Sequence, residues 1–285
     1  MEMAKLRYTW DGYEKYLRCP QTYLWDEVSP RELAYRPRKD TQHLVRGDAT
    51  QAVVSQWLQQ TIPEAQLREW LVTTTQKAVQ DHWAENQPHN EYCDTTPQEM
   101  TLRIVNNLEK VLPKWRAKID TLEPGQKSYE IEHDLETTVL VEGTLVTLHA
   151  RADVIVCGQQ DTLFEGKATK HPKYRTNDHL YWQAFLLRKL RPQKAATKHY
   201  YVFYETGTLR EVVVNDMDIA FREWWQITQI RLGRLIRGDY TATPSRDSCN
   251  ICKHKNTCPD LYRPKPRVKP STSVPTQGGY RINVI

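Results

Sequence analysis

The run Cys249-Asn-Ile-Cys-Lys-His-Lys-Asn-Thr-Cys258 places three thiols within ten residues. A C-x2-C-x5-C spacing suits a structural zinc ion or an iron–sulfur cluster, and either takes four ligands. His254, inside the run, could complete a zinc site. Of the other cysteines, Cys157 follows the apolar stretch ADVIV and reads as a small buried side chain, while Cys93 lies in the loop HNEYCDTTP. Cys19, in YLRCPQTYLW, falls between two short aromatic-rich helical segments and is the better fourth ligand.

A second constellation lies mid-chain. In LFEGKAT, alternate residues of a strand share a face, so Glu165 and Lys167 project together with Gly166 between them. Asp153 closes a polar interruption (His149, Arg151, Asp153) in an otherwise apolar strand, just before the turn that leads to Glu165. If the two strands pair antiparallel, the acids become neighbours and repel unless positive charge lies between them. A divalent cation meets that need, and hard oxygen ligands with retained water describe Mg2+ or Mn2+ rather than zinc. Lys167 could then orient or help deprotonate a water. The plainer alternative is a surface ion pair between Lys167 and one of the acids.

These residues must be carried by regular elements. Apolar spacings of three and four predict helices over 47–60, 63–86 and 97–122, the last two opening with proline in the first turn. From about Gln126 the pattern alternates and is rich in Val, Leu and Thr, which predicts successive strands with a turn near Glu136–Thr138. A turn at Gly158–Asp161 leads to the short strand DTLFEGKAT. A helix then starts near Asp178 as N-cap, followed by a hairpin from TKHYYVFYETG and LREVVVN and an amphipathic helix over 216–238. No internal repeat is evident.

The length of 285 residues suits one elaborated domain, and no apolar run approaches the roughly 20 residues of a membrane span. The first residues lack the apolar block of a signal peptide, so the expected setting is intracellular: the cytoplasm of a bacterium or a phage-infected cell, without membrane attachment. In a reducing compartment, cysteines at 19, 93, 157, 249, 252 and 258 read as metal ligands before disulfides. The net charge of +5 is unevenly spread, with a local balance of +8 over 166–199 and +5 over 253–269, leaving the rest acidic. Basic segments on an acidic background suggest a polyanion partner, with a solvated charged face as the alternative. Residues 263–285, rich in Pro, Gly and basic side chains, read as a disordered tail whose final YRINVI could add as a strand to a partner.

Asp153, then Glu165-Gly166-Lys167 twelve residues on, then a helix bearing Gln183 resembles the PD-(D/E)XK nuclease core, in particular its RecB-like branch. The resemblance runs from about Tyr13 to Leu261. It implies an α/β fold with a restriction-endonuclease-like core, a mixed central sheet flanked by helices. Residues 1–262 would form one nuclease domain with a helical insertion over 52–123. Two positions depart from the pattern: Gln51, in RGDATQ, stands where the branch often has a histidine metal ligand, and Leu187 stands where a tyrosine usually follows the glutamine. Tyr181 lies on a different helical face.

A subset of the branch, including AddB-type helicase-nucleases and CRISPR-associated adaptation nucleases, is similar in pairing one early cysteine with a late C-x2-C-x5-C. That likeness implies a 4Fe-4S cluster on Cys19, Cys249, Cys252 and Cys258, joining both ends of the domain. The implied activity is Mg2+- or Mn2+-dependent exonucleolytic hydrolysis of DNA at single-stranded ends, in recombination, repair or replication. Asp153, Glu165, the Gly166 carbonyl and, less clearly, Gln51 would hold the metal, with Lys167 and Gln183 at the reacting phosphate. Lys170, Lys173, Tyr174 and Arg175 would grip DNA. No GxxxxGK[ST] motif is present, so unwinding would need a helicase or recombination partner. The competing reading is a catalytically weak DNA-binding scaffold subunit of a larger assembly.

Overall fold

The computed structural model describes residues 6–30, 41–85, 95–168 and 176–262. Its centre is a six-stranded mixed sheet: β1 (Leu6–Thr9), β2 (Ser128–Val141), β3 (Thr144–Cys157), β4 (Thr162–Lys167), β5 (Lys198–Phe203) and β6 (Thr208–Val213). Strand β3 organises the rest. Antiparallel β2 runs along one edge of it, while parallel β1 pairs with Val146–His149 and antiparallel β4 with Val154–Val156. Beyond β4 come parallel β5 and antiparallel β6.

Helices α1 (Trp10–Arg18), α6 (Asp178–Leu190) and α7 (Ile219–Ile236) share one core with the sheet, built on Tyr13, Ile155, Leu163, Trp182 and Phe203. The other face packs against α3 (Thr41–Gln59), α4 (Glu64–Glu85) and α5 (Pro97–Leu122). There Trp57, Trp115, Phe164 and Tyr200 form a continuous aromatic column from α3 to β5. The helical segment is therefore half of the structural core, since its apolar faces cover one whole side of the sheet. Its longest helix begins with a capping box, Thr96 with Glu99, and Pro97 at the first turn.

Several expected boundaries move. The hairpin does not turn at Glu136–Thr138: β2 continues to Val141, and the chain reverses at Glu142 (φ +48°) and Gly143 (φ +79°). Two left-handed residues in a two-residue loop match the right-handed twist of the strands, and glycine takes that region without strain. Helix α6 is capped by Asn177 rather than Asp178, and α7 by Asp218, whose carboxylate accepts the Phe221 N–H. The short parallel strand β1 went unforeseen because four residues carry too little alternation to register. Two short helices, α2 (Pro20–Tyr23) and α8 (Arg246–Ile251), and a π-helical turn at Leu24–Val28 bring the described ends together. Among the described residues no helix is long and apolar enough to cross a membrane. The predicted tail over 263–285 lies outside the described residues.

The turn from β3 to β4 depends on one buried acid. Glu123, 4% exposed, accepts the backbone N–H of Gln159 (2.8 Å) and of Gln160 (3.0 Å). Gly158 makes room for it, because a Cβ there would overlap the carboxylate. Charge-assisted bonds to buried amides are worth more than neutral ones, so Glu123→Ala is expected to destabilise the chain by about 2–3 kcal/mol in urea unfolding. A loss under about 1 kcal/mol would mean that the turn holds without it.

Candidate active site

The register of β3 with β4 brings Asp153 opposite Glu165, one step beyond the paired Val154 and Phe164. Asp153 also marks a change of face. Ala150 and Ala152 point into the core under α6, whereas Val154 and Val156 point into the core under α5. Opposite this switch, between Ile131 and His133 of β2, Glu132 adopts φ +52°. A non-glycine residue in that region is strained, and such kinks in paired strands re-aim side chains next to functional sites. Glu132 is held by Arg151, whose Nε lies 2.7 Å from its carboxylate.

Asp153 accepts the Gly166 N–H on Oδ2 at 2.8 Å. Burial, then the neighbouring Glu165 carboxylate, pushes its pKa well above the ordinary aspartate range. Glu165 is 2% exposed and fully engaged. Lys167 pairs with its Oε1, the His179 ring nitrogen Nδ1 lies 3.2 Å from the same oxygen, and Gln183 Nε2 donates to Oε2 at 2.8 Å. Burial acts to raise Glu165, but Lys167, His179 and the Gln183 bond outweigh it and hold the carboxyl below its usual range.

Gln183, wholly buried, also donates to the Arg151 carbonyl at 2.9 Å, and its Oε1 is buried without a hydrogen-bond partner. Helix α6 can present this face because Leu180–Leu187 are buried all round, between the sheet and α7. Its start is pinned by the Tyr201 hydroxyl, which accepts the Leu180 N–H (3.1 Å) and donates to the Thr176 carbonyl (3.3 Å). Gly166 has a separate reason to be glycine: a Cβ there would run into the buried Tyr204 hydroxyl.

His179 is the main residue that sequence reasoning passed over. It approaches Lys167 Nζ (3.4 Å) as well as Glu165, lies 3.1 Å from Gln183 Nε2, and stacks flat on Trp10 with centroids 4.9 Å apart and planes at 5°. The available signal was its spacing, four residues before Gln183 and thus on the same helical face. Leu187 is core, and Tyr181 packs on Phe221 and Trp224 of α7, away from the acids. Gln51, on α3, is half-buried with its Nε2 lacking a hydrogen-bond partner, and the structure does not join it to either acid. Lys170, Lys173, Tyr174 and Arg175 lie outside the described residues.

Among the described residues, no three or more His, Cys, Asp or Glu side chains are grouped so as to hold a metal ion. A divalent ion at Asp153 and Glu165 would thus rely on two carboxylates completed by a backbone carbonyl and water, a mode that suits Mg2+. The residues fit such an ion in one respect: two buried acids stand side by side, and the Glu165 charge raises the Asp153 pKa although Lys167 acts on both.

The four thiols of Cys19, Cys249, Cys252 and Cys258 line one small pocket with Gln21, Thr22 and Trp25, without converging on a single ion. Thr22 Oγ1 lies 3.6 Å from Cys252 Sγ, Cys258 Sγ 3.7 Å from Gln21 Oε1, and the Tyr262 N–H donates to Cys249 Sγ at 3.4 Å. His254 turns elsewhere, its Nε2 2.7 Å from Asp26 and its ring edge-on to Trp25. Burial acts to raise Asp26, but Lys253 and His254 outweigh it and lower its pKa. Cys157 is remote, beside Arg191, with burial pushing its thiol up to about 11. Cys93 lies outside the described residues.

A family model described as the PD-(D/E)XK nuclease superfamily matches residues 8–259. No curated protein matches the sequence. Among solved structures, the chain is similar to that of SSO0001, at 14% identity over 78% of this chain and 97% of that one, with a TM-score of 0.35. It is also similar to a candidate exonuclease from Eubacterium rectale, at 12% identity over 93% of each chain, with a TM-score of 0.47.

Because Asp153 has a higher pKa in the folded chain than in the unfolded one, the stability it allows is fully present below about pH 3.9 and is lost as pH rises through its folded value. In chelator, Asp153→Asn is expected to match the parent in acid and to melt increasingly above it toward neutral and alkaline pH. Thermal unfolding against pH checks this, and parallel curves for both proteins would show that Asp153 is not a suppressed acid.

Proposed function

The chain belongs to the PD-(D/E)XK nuclease superfamily, and from that premise we propose that it is a Mg2+- or Mn2+-dependent exonuclease acting on single-stranded ends of DNA. The observation that carries this reading is the Asp153–Glu165 pair, buried together with an ammonium and an amide already placed on Glu165. When bound, the divalent ion supplies Lewis-acid activation of the phosphodiester and of the attacking water.

The chain's own residues do the rest. Asp153 and Glu165 offer oxygens from adjacent strands, and Gly166 adds a carbonyl while its N–H fixes the Asp153 rotamer. Lys167 stands where charge grows on the phosphoryl oxygens and offsets it, within reach of a water to orient. Gln183 and His179 brace Glu165 and Lys167, so these groups need not reorganise during the reaction. Purified protein given labelled DNA and Mn2+ should degrade it, with Asp153→Ala and Lys167→Ala each slowing cleavage by about 10²–10³-fold or more while DNA affinity stays within a few-fold. Activity surviving both substitutions would remove the site assignment. DNA binding without any cleavage by the parent would favour the scaffold reading, which is motivated by Gln51 standing where a histidine ligand is usual and by the missing tyrosine after Gln183.

We further infer that Cys19, Cys249, Cys252 and Cys258 hold a 4Fe-4S cluster. The support is a set of four soft donors lining one pocket, with His254 committed to Asp26, and a cluster gives each thiolate its own iron. Protein purified without oxygen should be brown and contain about four irons per chain. Cys19→Ala should lose most of the iron and melt at lower temperature, whereas zinc in place of iron would refute the cluster.

A further inference from the structure

Away from the acid pair, the far end of α6 borders a second concavity of about 440 Å3, closed on the other side by α7. That volume is in the range of small-ligand sites. Phe185 of α6 stacks on Trp225 of α7, centroids 4.0 Å apart and planes at 23°, and Lys189 Nζ lies 5.6 Å from the Phe185 centroid. Arg188 donates to the Val214 carbonyl (3.1 Å) and to Asp216 (3.0 Å). Asp216 is the one acid among the lining residues, and Arg188 answers it. Lys189 and Arg222 are left exposed on opposite walls with no carboxylate of their own in the pocket.

A partly exposed indole flanked by two cations that meet no carboxylate in the pocket suits a nucleobase and its phosphates, since stacking tolerates any base and the cations follow the backbone. An acidic peptide would use the cations but has no need of a flat aromatic wall. Location adds to the argument. Helix α6 carries His179 and Gln183 at the reaction site and Lys189 at this pocket. Ten residues of helix span about 15 Å, a distance that a few nucleotides of an unpaired strand cover.

We infer that the pocket holds one base and the adjoining phosphates of the same single DNA strand whose scissile bond lies at Asp153 and Glu165; this rests on the nuclease reading above. The full chain, in chelator, would be titrated with labelled oligothymidylates of about two and about twelve nucleotides, lengths that fall short of the pocket and reach it. Lys189→Ala/Arg222→Ala is expected to weaken the longer strand about tenfold and to make its log-affinity against log-salt slope shallower by about 0.7 for each phosphate no longer neutralised. A charge-matched control on the opposite helical layer, Lys77→Ala/Lys110→Ala, should leave both values near the parent's.

Trp225→Ala should weaken the longer strand similarly and Trp225→Phe much less. If Trp225→Ala does not fold, the paired cation variant decides. Equal losses in the two double variants, no loss in the first, or displacement of the strand by thymidine monophosphate as readily as by unlabelled oligonucleotide would overturn the inference. Failure of the parent to cleave, with pocket-dependent binding intact, would remove the nuclease reading and leave the pocket. Cleavage with binding unaffected by the pocket substitutions would do the reverse.

Discussion

Burying two carboxylates side by side is costly, and the centre of this protein is arranged around that cost. Asp153 and Glu165 face each other across β3 and β4 because the register allows nothing else, yet only one of them is supplied with partners. Glu165 receives an ammonium, an imidazole nitrogen and an amide; Asp153 receives one backbone N–H. The asymmetry is visible in opposite pKa directions for the two acids. Several features that look unrelated are needed to hold the pair. The strained Glu132 lies opposite the point where β3 changes face, glycine at 166 leaves room for the Tyr204 hydroxyl, and Glu123 fixes the turn that sets the register.

The two helical layers divide the work. The α1–α6–α7 side touches the acid pair and its lysine through Gln183 and His179, and Trp10 stacks on His179. The α3–α4–α5 side supports the sheet from behind with large apolar side chains, and Trp115 and Phe164 fix β4 from beneath while Glu165 and Lys167 face the opposite layer. Precision at the site therefore depends on residues that never meet a substrate. The chain ends add a separate constraint: Asp26 with Lys253 and His254 joins segments more than two hundred residues apart beside the thiol pocket. Long-range contacts of this kind remove loop entropy that the unfolded chain would otherwise keep.

Much of this could be read from the sequence where a single periodicity or spacing determines the answer. The alternation in LFEGKAT placed Glu165 and Lys167 on one face, and the polar break at Asp153 marked the second acid. The three long helices lay close to their apolar pattern, and Cys19, picked out by its place between two aromatic-rich helical segments, lines one pocket with the late trio. What escaped had tertiary causes. The hairpin turn moved because Val139 and Val141 keep packing past the polar run, a fact of core shape and not of local composition. Gln51 was placed by counting along the chain; it lies half-buried on α3 with its Nε2 lacking a hydrogen-bond partner, and counting alone cannot show which way a helix face is turned. His179 was missed although its spacing puts it on the face of Gln183, since that spacing alone does not show the Trp10, from the other end of the chain, stacked beneath it.

The partition of hydrogen bonds between the acids also says how a cation and a proton must be related here. An ionised carboxylate has about four lone-pair sites, and Glu165 has two of them taken, by Lys167 and Gln183, with His179 Nδ1 3.2 Å from one of its oxygens. Asp153 has one taken, so more of the remaining capacity lies on the group whose ionisation burial disfavours. The acid best able to ligate an ion is thus the acid least able to ionise without one. An ion captured here would have to displace any proton on Asp153, so its apparent affinity would rise with pH. Glu165 plays the opposite part: braced and ionised beforehand, it holds Lys167 in place whether or not an ion is present.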